Sequence, residues 1–586
     1  MGHRAVPAAP GETTPDSSLP PKDMMRARWQ LPSAVPPQAK AELAEFSSIE
    51  QQILFNRGLV TGGLVRDFLT APAEAAEDPF LLRDMEQAVA RILAARAARE
   101  SVVVYGDYDT DGVTATALLV SFLVGKGIST TPYFPNRFEE GYGLNEDALL
   151  ELRRAGAQLV ITVDCGIRSV DEVALAASAG TDVIVTDHHQ PGRELPHAKA
   201  VINPKRSDDG YPFKELAGVG LAYKLVQGIA RTLGEDDPAE LLDLVAVGTI
   251  SDLAPLVGEN RRLVTRGLEE LNRGARVGLR ELTRVSRFEQ GKVRSMGVSF
   301  GLGPRLNAAG RMNTAEAAYQ LLMTDDSSRA AQMAQALDLT NRDRQKATRE
   351  TVQRVRSMAV TEGGAPPLIF AAAPDFSEGI IGLAAARLVD EYYRPSIVAV
   401  RGEEVTRGSA RSIPEFHITR ALDECADLLL KYGGHSAAAG FTLRTERLEI
   451  LLGRLNQLAS EALGTSEPTP SLTIDALVDL GDLDQRLLRF LDRLEPCGTG
   501  NPAPTLAARG LRVHNKRTVG RDGTHLKLVV GDKGRWMEAI AFGQGPNLQQ
   551  LPERIDLAFR LERNNYRGQE TLELNAADWR PSETSA

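Results

Sequence analysis

Three stretches of this chain repeat one design, a short apolar run that stops at residues able to hold a metal. Residues 102–105 run into Gly106-Asp107-Tyr108-Asp109-Thr110-Asp111-Gly112, Ile161-Thr162-Val163 into Asp164-Cys165-Gly166, and Val183-Ile184-Val185 into Thr186-Asp187-His188-His189. Such runs read as buried strands, and the carboxyl ends of parallel strands are the rim where open α/β sheets place their sites. A single Asp-x-Asp behind a strand is common as a capped, solvated turn, and a lone Asp-Cys-Gly means little. Three ligand-bearing strand ends in chain order constrain the fold far more tightly. Adjacent histidines behind a strand point to opposite sides, so at most one of His188 and His189 need face a metal. A fourth carboxylate, Asp252, ends the helical pattern 239–250. Oxygen donors with one nitrogen donor suit Mn²⁺ or Mg²⁺ better than structural zinc. These residues imply a metal-dependent phosphoester hydrolase.

The rest of the chain bounds that reading. Its 586 residues exceed one core and, at roughly 150 residues per domain, suggest three or four units. Cys165, Cys425 and Cys497 form no close pair, which indicates neither a disulfide framework nor a zinc ribbon and fits a reducing cytoplasm. The sequence shows neither an apolar run of membrane-spanning length nor a leader-like core near residue 1. Net charge is −10, yet residues 261–311 carry twelve Lys and Arg against four Glu, an excess of eight. That segment is a candidate phosphate track, weighed against the simpler reading of a solvated helical face.

Strands alternating with helical patterns from 101 to 204 predict a parallel sheet with right-handed crossovers. The organisation expected is a disordered or extended segment over 1–50 and a catalytic α/β domain over 51–313. A helical connector then covers 314–362, and a second α/β domain 363–466. Short alternating strands at 467–580 read as a small β-barrel, with a tail at 581–586.

The Asp-x-Asp-x-Asp-Gly stretch, Asp164-Cys165-Gly166, Asp187-His188-His189 and Ser251-Asp252 together resemble the DHH phosphoesterase superfamily. Residues 136–143, 216–220, 303–311 and 432–435 are similar to stretches of its single-stranded-DNA exonucleases, and the likeness runs from about Leu54 to near Trp579. The resemblance implies a parallel-sheet DHH domain, a DHH-associated domain closing over the metals, and an oligonucleotide-binding (OB) barrel. It implies 5′→3′ hydrolysis of single-stranded DNA in recombination and repair, with two Mn²⁺ or Mg²⁺ ions. It places Asp109, Asp111, Asp164, His188 and Asp252 in the ligand shell, with Asp164 as bridge. Asp107 and His189 stand behind them, orienting ligands or polarising phosphate; for His189, plain packing against the sheet is an equal alternative. Many members carry a histidine at the position of Tyr105, and its loss implies one nitrogen ligand fewer.

Phosphate recognition is expected from Ser409 and Arg411 on one side of a strand, and from Gly433-Gly434-His435 ahead of a helix start. Arg311 is expected to bridge the two α/β units. Phe138 and Tyr142 are candidates for base stacking, or anchors of their own loop. In the barrel, Lys516, Arg517, Arg521, Lys527 and Arg535 would follow a backbone. The partners implied are single-stranded DNA and a single-strand-binding protein or helicase, with no membrane, for a monomer associated with the bacterial nucleoid. Other readings are a phosphodiesterase or phosphatase on short RNA or small nucleotides, which would need neither barrel nor basic segment. A non-catalytic replication-fork scaffold would have lost ligands that this chain keeps.

Overall fold

Each strand ahead of a ligand cluster is apolar on both faces, and a sheet built from such strands must be covered on both sides. The computed structural model describes residues 27–71, 77–137, 140–141, 143–361, 364–464, 467–520, 522–566 and 569–583. Within it, five parallel strands lie in the order Ser129–Tyr133, Ser101–Gly106, Ala157–Val163, Asp182–Thr186, Ala200–Ile202. The ligand-bearing strands are the three in the middle. Alternate residues feed two cores. Val102, Val104, Ile161 and Val163 face one side, and Val103, Tyr105, Val160 and Val185 the other. Helix Thr110–Gly125 is buried on nearly every side, between the sheet and helices Gly218–Thr232 and Leu242–Ser251. That explains its run of Ala, Val and Leu without a polar face.

Helix Ser327–Ala359 spans 33 residues and is capped by Asp326, which accepts from the Ser328 and Arg329 amides. Ala330, Ala334 and Leu337 near its start are buried in the catalytic core, whereas Val352 and Val355 belong to the core of the second domain. One rigid rod therefore joins the two α/β units. The second domain is a sheet ordered Leu429–Gly434, Ala438–Arg444, Val405–Arg411, Ser396–Arg401, Ile369–Ala373, parallel only in its last pair. Strands Leu506–Val519, His525–Asp532, Arg535–Ala541, Arg554–Tyr566 and Gln569–Pro581 close into a barrel. The first pairs with the fourth, and the third lies parallel to the last.

Three sequence expectations are corrected here. Residues 28–30 form a strand parallel to Ser471–Thr473, and helices occupy Pro37–Glu42 and Ser48–Asn56, so residues 27–50 are ordered. Ile53, Leu54 and Val65 bury their side chains in the barrel's core, so residues 48–70 pack with the barrel and do not join the catalytic unit. The basic segment is not one phosphate track either. Arg262, Arg273, Arg276, Arg284, Lys292, Arg294 and Arg305 are ion-paired to Glu77, Glu270, Asp243, Glu281, Glu289, Asp492 and Asp338 in turn. Arg261 is a buried strut. It donates to the Phe68, Leu494 and Glu495 carbonyls and lies 3.7 Å from the Phe68 ring centre, tying the catalytic domain to the barrel's approach.

Beneath that strut, Lys224 and Glu259 form an ion pair at 2.9 Å with side chains 1% and 2% exposed, and Glu259 also accepts from the Tyr211 hydroxyl at 2.6 Å. Breaking one side of such a pair strands the other charge out of water. Glu259→Gln should lower unfolding stability by about 3–5 kcal/mol, read by chemical denaturation. A loss below about 1 kcal/mol, the surface-pair range, would show that Lys224 finds another partner or water.

Candidate active site

Because the three ligand-bearing strands are neighbours, their carboxyl ends meet in one cleft, and Asp252 arrives as the C-cap of helix Leu242–Ser251. Asp109 caps helix Thr110–Gly125, its Oδ1 accepting from the Asp111 and Gly112 amides. Asp111, inside that helix, accepts from the Gly218 and Val219 amides at 2.7 and 2.9 Å, so the positive end of helix Gly218–Thr232 faces it. A Cβ at Gly218 would lie 2.7 Å from the Asp164 Cβ, which is why this helix opens on glycine. Asp164 has φ +63, a left-handed conformation that a non-glycine residue adopts at a cost of about 1–3 kcal/mol. Such strain concentrates where a side chain must be aimed.

The carboxylates and imidazoles fall into three interlocking groups, each with donor atoms within 4.8 Å of one another. They are Asp107, Asp109 and Asp164; Asp164, His188 and His189; and Asp111, His188 and Asp252. Asp164 and His188 each belong to two groups. His188 Nε2 stands 3.0 Å from Asp164 Oδ1 and 3.9 Å from Asp252 Oδ2. His189 does not pack against the sheet. Its side chain is 38% exposed, and Nδ1 lies 2.7 Å from Asp187 Oδ1. Asp187 was legible as part of its motif but carried no assigned role. Its other oxygen accepts from the Ile167 amide at 2.9 Å, which fixes the carboxylate that fixes the ring.

Burial and mutual repulsion set the electrostatics. Burial and then Asp109 hold Asp111 up at about 7, and burial with Asp111 and Asp109 raises Asp252 to about 9. Asp107 and Asp164 are pushed well up by the same causes, burial first. Burial and then His189 take His188 down to about 3, leaving a neutral ring with a lone pair to offer. Asp187 stays low despite burial, through its hydrogen bond to His189. Asp107 Oδ1 is buried without a hydrogen-bond partner among the described residues, and His188 Nε2, although 3.0 Å from Asp164 Oδ1, makes no hydrogen bond there. A cleft with this much uncompensated negative charge, one neutral nitrogen and buried unsatisfied donor atoms fits hard divalent cations.

Tyr105 lies outside this cluster. It is fully buried in the core on the sheet's other face, stacked 4.9 Å from Tyr133 with its hydroxyl on the Gly143 carbonyl. Its place in the family pattern therefore costs no ligand, because strand alternation turns position 105 away from the cleft.

Across the cleft lie arginines. Asn307 accepts from the Thr110 amide at 2.8 Å and seats helix Gly303–Met312 on the first motif, bringing up Arg311. Burial first, then Arg137 and Arg344, lowers Arg311 to about 10, and burial and Arg137 lower Arg411 as well. Neither Arg137 nor Arg344 was singled out from sequence; a cluster of like charges drawn from four separate segments leaves no local signal. Arg411 donates to Ser409 Oγ at 3.2 Å, as the shared strand face predicts. Helix Glu378–Tyr392 comes so close that a Cβ at Gly382 would sit 3.0 Å from Ser409 Oγ. Ser409, Gly440 and Gly433 form one row across three strands. The expected helix start after Gly434 is a hairpin instead. Gly434 (φ +153) ends a strand, and the His435 amide donates to the Ala438 carbonyl. His435 is exposed, and no hydrogen bond among the described residues joins it to Ser409 or Arg411. Phe138 and Tyr142 lie outside the described residues, as does Arg521. In the barrel, Lys516 is bonded to the Leu551 carbonyl, Arg535 to the Gly481 and Leu483 carbonyls, and Lys527 to Glu538 and Glu573, while Arg517 is exposed.

Comparison with known proteins adds to this geometry. Residues 101–249 match the DHH family, N-terminal domain, residues 365–461 the DHHA1 domain, and residues 474–578 the RecJ OB domain. The chain is 37% identical over 565 residues to the single-stranded-DNA-specific exonuclease RecJ of Bacillus subtilis, covering 95% of this chain and 71% of that protein. It is 33% identical over 519 residues to RecJ of Escherichia coli, covering 84% and 89%. The crystal structure of RecJ in complex with Mn²⁺ from Thermus thermophilus superposes with a TM-score of 0.83 at 30% identity, covering 96% of this chain and 80% of that one.

The charge in the cleft gives a metal-removal test. A carboxyl raised in the folded state, such as Asp252 from 3.8 to about 9, lends stability at low pH that is lost as pH climbs through that window. Cations replace the lost protons, so the gain in Tm on adding Mn²⁺ should grow from about pH 4 to about pH 9 and largely vanish in Asp164→Asn. A gain that is flat with pH would mean Mn²⁺ binds elsewhere.

Proposed function

The chain belongs to the RecJ family of single-stranded-DNA-specific exonucleases, and from that premise we propose that it hydrolyses single-stranded DNA from the 5′ end in recombination and repair. Mn²⁺ or Mg²⁺ is the cofactor of this reading, with Asp109, Asp111, Asp164, His188 and Asp252 as ligands and Asp164 shared between two ions. What carries it is the membership of Asp164 in two of the three ligand groups. When bound, a pair of such ions supplies an activated water and stabilises the leaving oxygen. The remaining work belongs to side chains. Asp187 holds His189 at the mouth of the cleft, where the ring meets the phosphate. Asp107 stands beside Asp109 and orients it. Arg311 and Arg411, with Ser409, neutralise phosphate oxygens across the gap, and the long helix Ser327–Ala359 keeps that distance constant.

A monomer in the cytoplasm, working at the nucleoid with a single-strand-binding protein or a helicase, is the setting we propose. In support, no described helix is long and apolar enough to cross a membrane. The scaffold alternative is disfavoured because an unused cleft would gain stability by replacing its repelling carboxylates.

Asp164→Ala should abolish degradation of end-labelled single strands with either metal while strand binding in chelator persists. Near-native turnover would sink the shared-ligand role. Polarity is tested separately. A charge-assisted hydrogen bond to a terminal phosphate is worth about 1.5–3 kcal/mol, roughly ten- to a hundredfold in rate. Arg411→Ala should therefore lower kcat/KM on 5′-phosphorylated strands by that factor and on 5′-hydroxyl strands much less. Equal losses would show that Arg411 does not read the terminus.

A further inference from the structure

Between the two charged walls of the cleft lies one short helix, Gly303–Met312, and main chain meets main chain on both of its sides. A Cβ at Gly310 would lie 2.3 Å from the Tyr108 carbonyl oxygen, in the turn between Asp107 and Asp109. A Cβ at Gly379, in the first turn of helix Glu378–Tyr392, would lie 2.2 Å from the Arg311 carbonyl oxygen. Neither glycine has a positive φ, so what requires glycine is close approach and not backbone conformation. Two hydrogen bonds seat the same helix on the first motif. Asn307 Oδ1 accepts from the Thr110 amide at 2.8 Å, and the Gly303 carbonyl accepts from the Thr110 hydroxyl at 3.2 Å. On the other side, Gly382 lies three residues beyond Gly379, on a neighbouring part of the helix surface. Its Cβ position is 3.0 Å from Ser409 Oγ and 3.1 Å from Arg411 Nη2.

From Tyr108 to helix Glu378–Tyr392 the path therefore crosses two glycine contacts with no side chain interposed. A side chain can yield by changing rotamer, whereas packed main chain has little room to give. Opposite charge draws the two walls together, so something stiff must set their closest approach. The rod Ser327–Ala359 fixes this only coarsely. Its 33 residues make it about 50 Å long, and a tilt of about one degree moves its far end by about 1 Å. A stop placed at the gap itself is finer.

We propose that helix Gly303–Met312 is the spacer that sets the gap between the metal ligands and the Ser409–Arg411 pair, with Gly310, Gly379 and Gly382 as positioning residues. This rests on the exonuclease reading above, in which Arg411 holds a 5′-phosphate while the metals hold the bond to be cut. None of the three glycines touches the strand. A methyl group at Gly379 has to retreat from 2.2 Å to the 3.4 Å of ordinary contact, which moves one wall outward by about 1.2 Å. A misplacement of about 1 Å costs roughly a hundredfold in rate. That loss falls on strands gripped by both walls, and a 5′-hydroxyl strand, gripped at the metals alone, escapes most of it.

The test compares kcat/KM of the full chain in Mn²⁺ on short thymidine strands with a 5′-phosphate or a 5′-hydroxyl, and follows Tm with and without Mn²⁺. Gly379→Ala should slow cleavage of 5′-phosphorylated strands roughly a hundredfold and of 5′-hydroxyl strands much less. Its gain in Tm on adding Mn²⁺ should stay that of wild type, because the ligands are untouched. Gly310→Ala presses on the first motif itself and should shrink that gain as well. Gly382→Ala meets only the mobile ends of Ser409 and Arg411, so it keeps the fold and should reduce the 5′-phosphate preference in part. Gly453→Ala is the control: it lies on helix Leu448–Leu463 of the same domain, with nothing within 4 Å of its Cβ, and should change neither rate. If Gly379→Ala lowers Tm and both rates fall by one factor, the glycine only packs and the spacer is refuted. Unchanged rates refute it equally, since the wall then yields. Should Gly379→Ala fail to fold, a wild-type preference in Gly382→Ala is the refuting result. Failure of the underlying reading looks different: wild type then cuts neither strand in Mn²⁺.

Discussion

Five carboxylates, those of Asp107, Asp109, Asp111, Asp164 and Asp252, are held in one buried cleft against their own repulsion. Much of the catalytic domain can be read as the apparatus that keeps them there. Backbone amides of Gly218 and Val219 hold Asp111, and the first turn of helix Thr110–Gly125 holds Asp109. Asp164 is forced into a left-handed conformation by a turn whose amide is pinned to the Thr186 carbonyl. None of these contacts offers a full positive charge. The protein solves geometry and leaves charge to the cation, which is why a cleft that is strained when empty can still be selective when filled.

The opposing arginines make sense on the same terms. Arg311 and Arg411 are buried near Arg137, and each is made less stable as a cation by its neighbours. Each wall carries like charges, negative on one and positive on the other, and closing the gap would bring the opposite charges together and relieve both. Collapse is prevented by a helix whose two ends sit in two different cores. A phosphodiester with a metal on one side and guanidinium on the other relieves both walls together. Catalysis in this arrangement is positioning plus electrostatics, and the spacing is set by packing far from the chemistry.

The parts of this that could be read from sequence were those with a local signature. Strand–ligand junctions, the alternation of strands and helices, the long Gly-free connector and the short barrel strands all express a periodicity within a few residues. Ser409 and Arg411 were legible because they share one strand face. What escaped depends on partners distant in the chain. Helices 48–56 and 62–70 look like a lead-in to the sheet and instead fill the barrel's core, a choice made by shape complementarity some 400 residues away. The arginines of 261–311 looked like a track because sequence shows charge and hides ion pairing. Tyr105 was taken for a lost ligand although it lies with Val103 in the core on the sheet's other face, and the Gly-Gly-His stretch carries the same glycine signal for a hairpin as for a helix start. Asp187 lay in full view; its importance appears only once His189 is seen leaning on it.

A chain of net charge −10 that handles a polyanion is a lesson in range. At physiological ionic strength charges more than about 8 Å apart barely sense one another through solvent. Excess acid on distant surfaces therefore subtracts little from a buried arginine pair. The same screening means that the cleft gains little from exposed lysines and arginines elsewhere. Attraction for the strand has to be rebuilt wherever the strand actually runs, from cations that the fold leaves unmatched and from faces on which bases can lie. Net charge then reports on solubility, and the unmatched residues report on function.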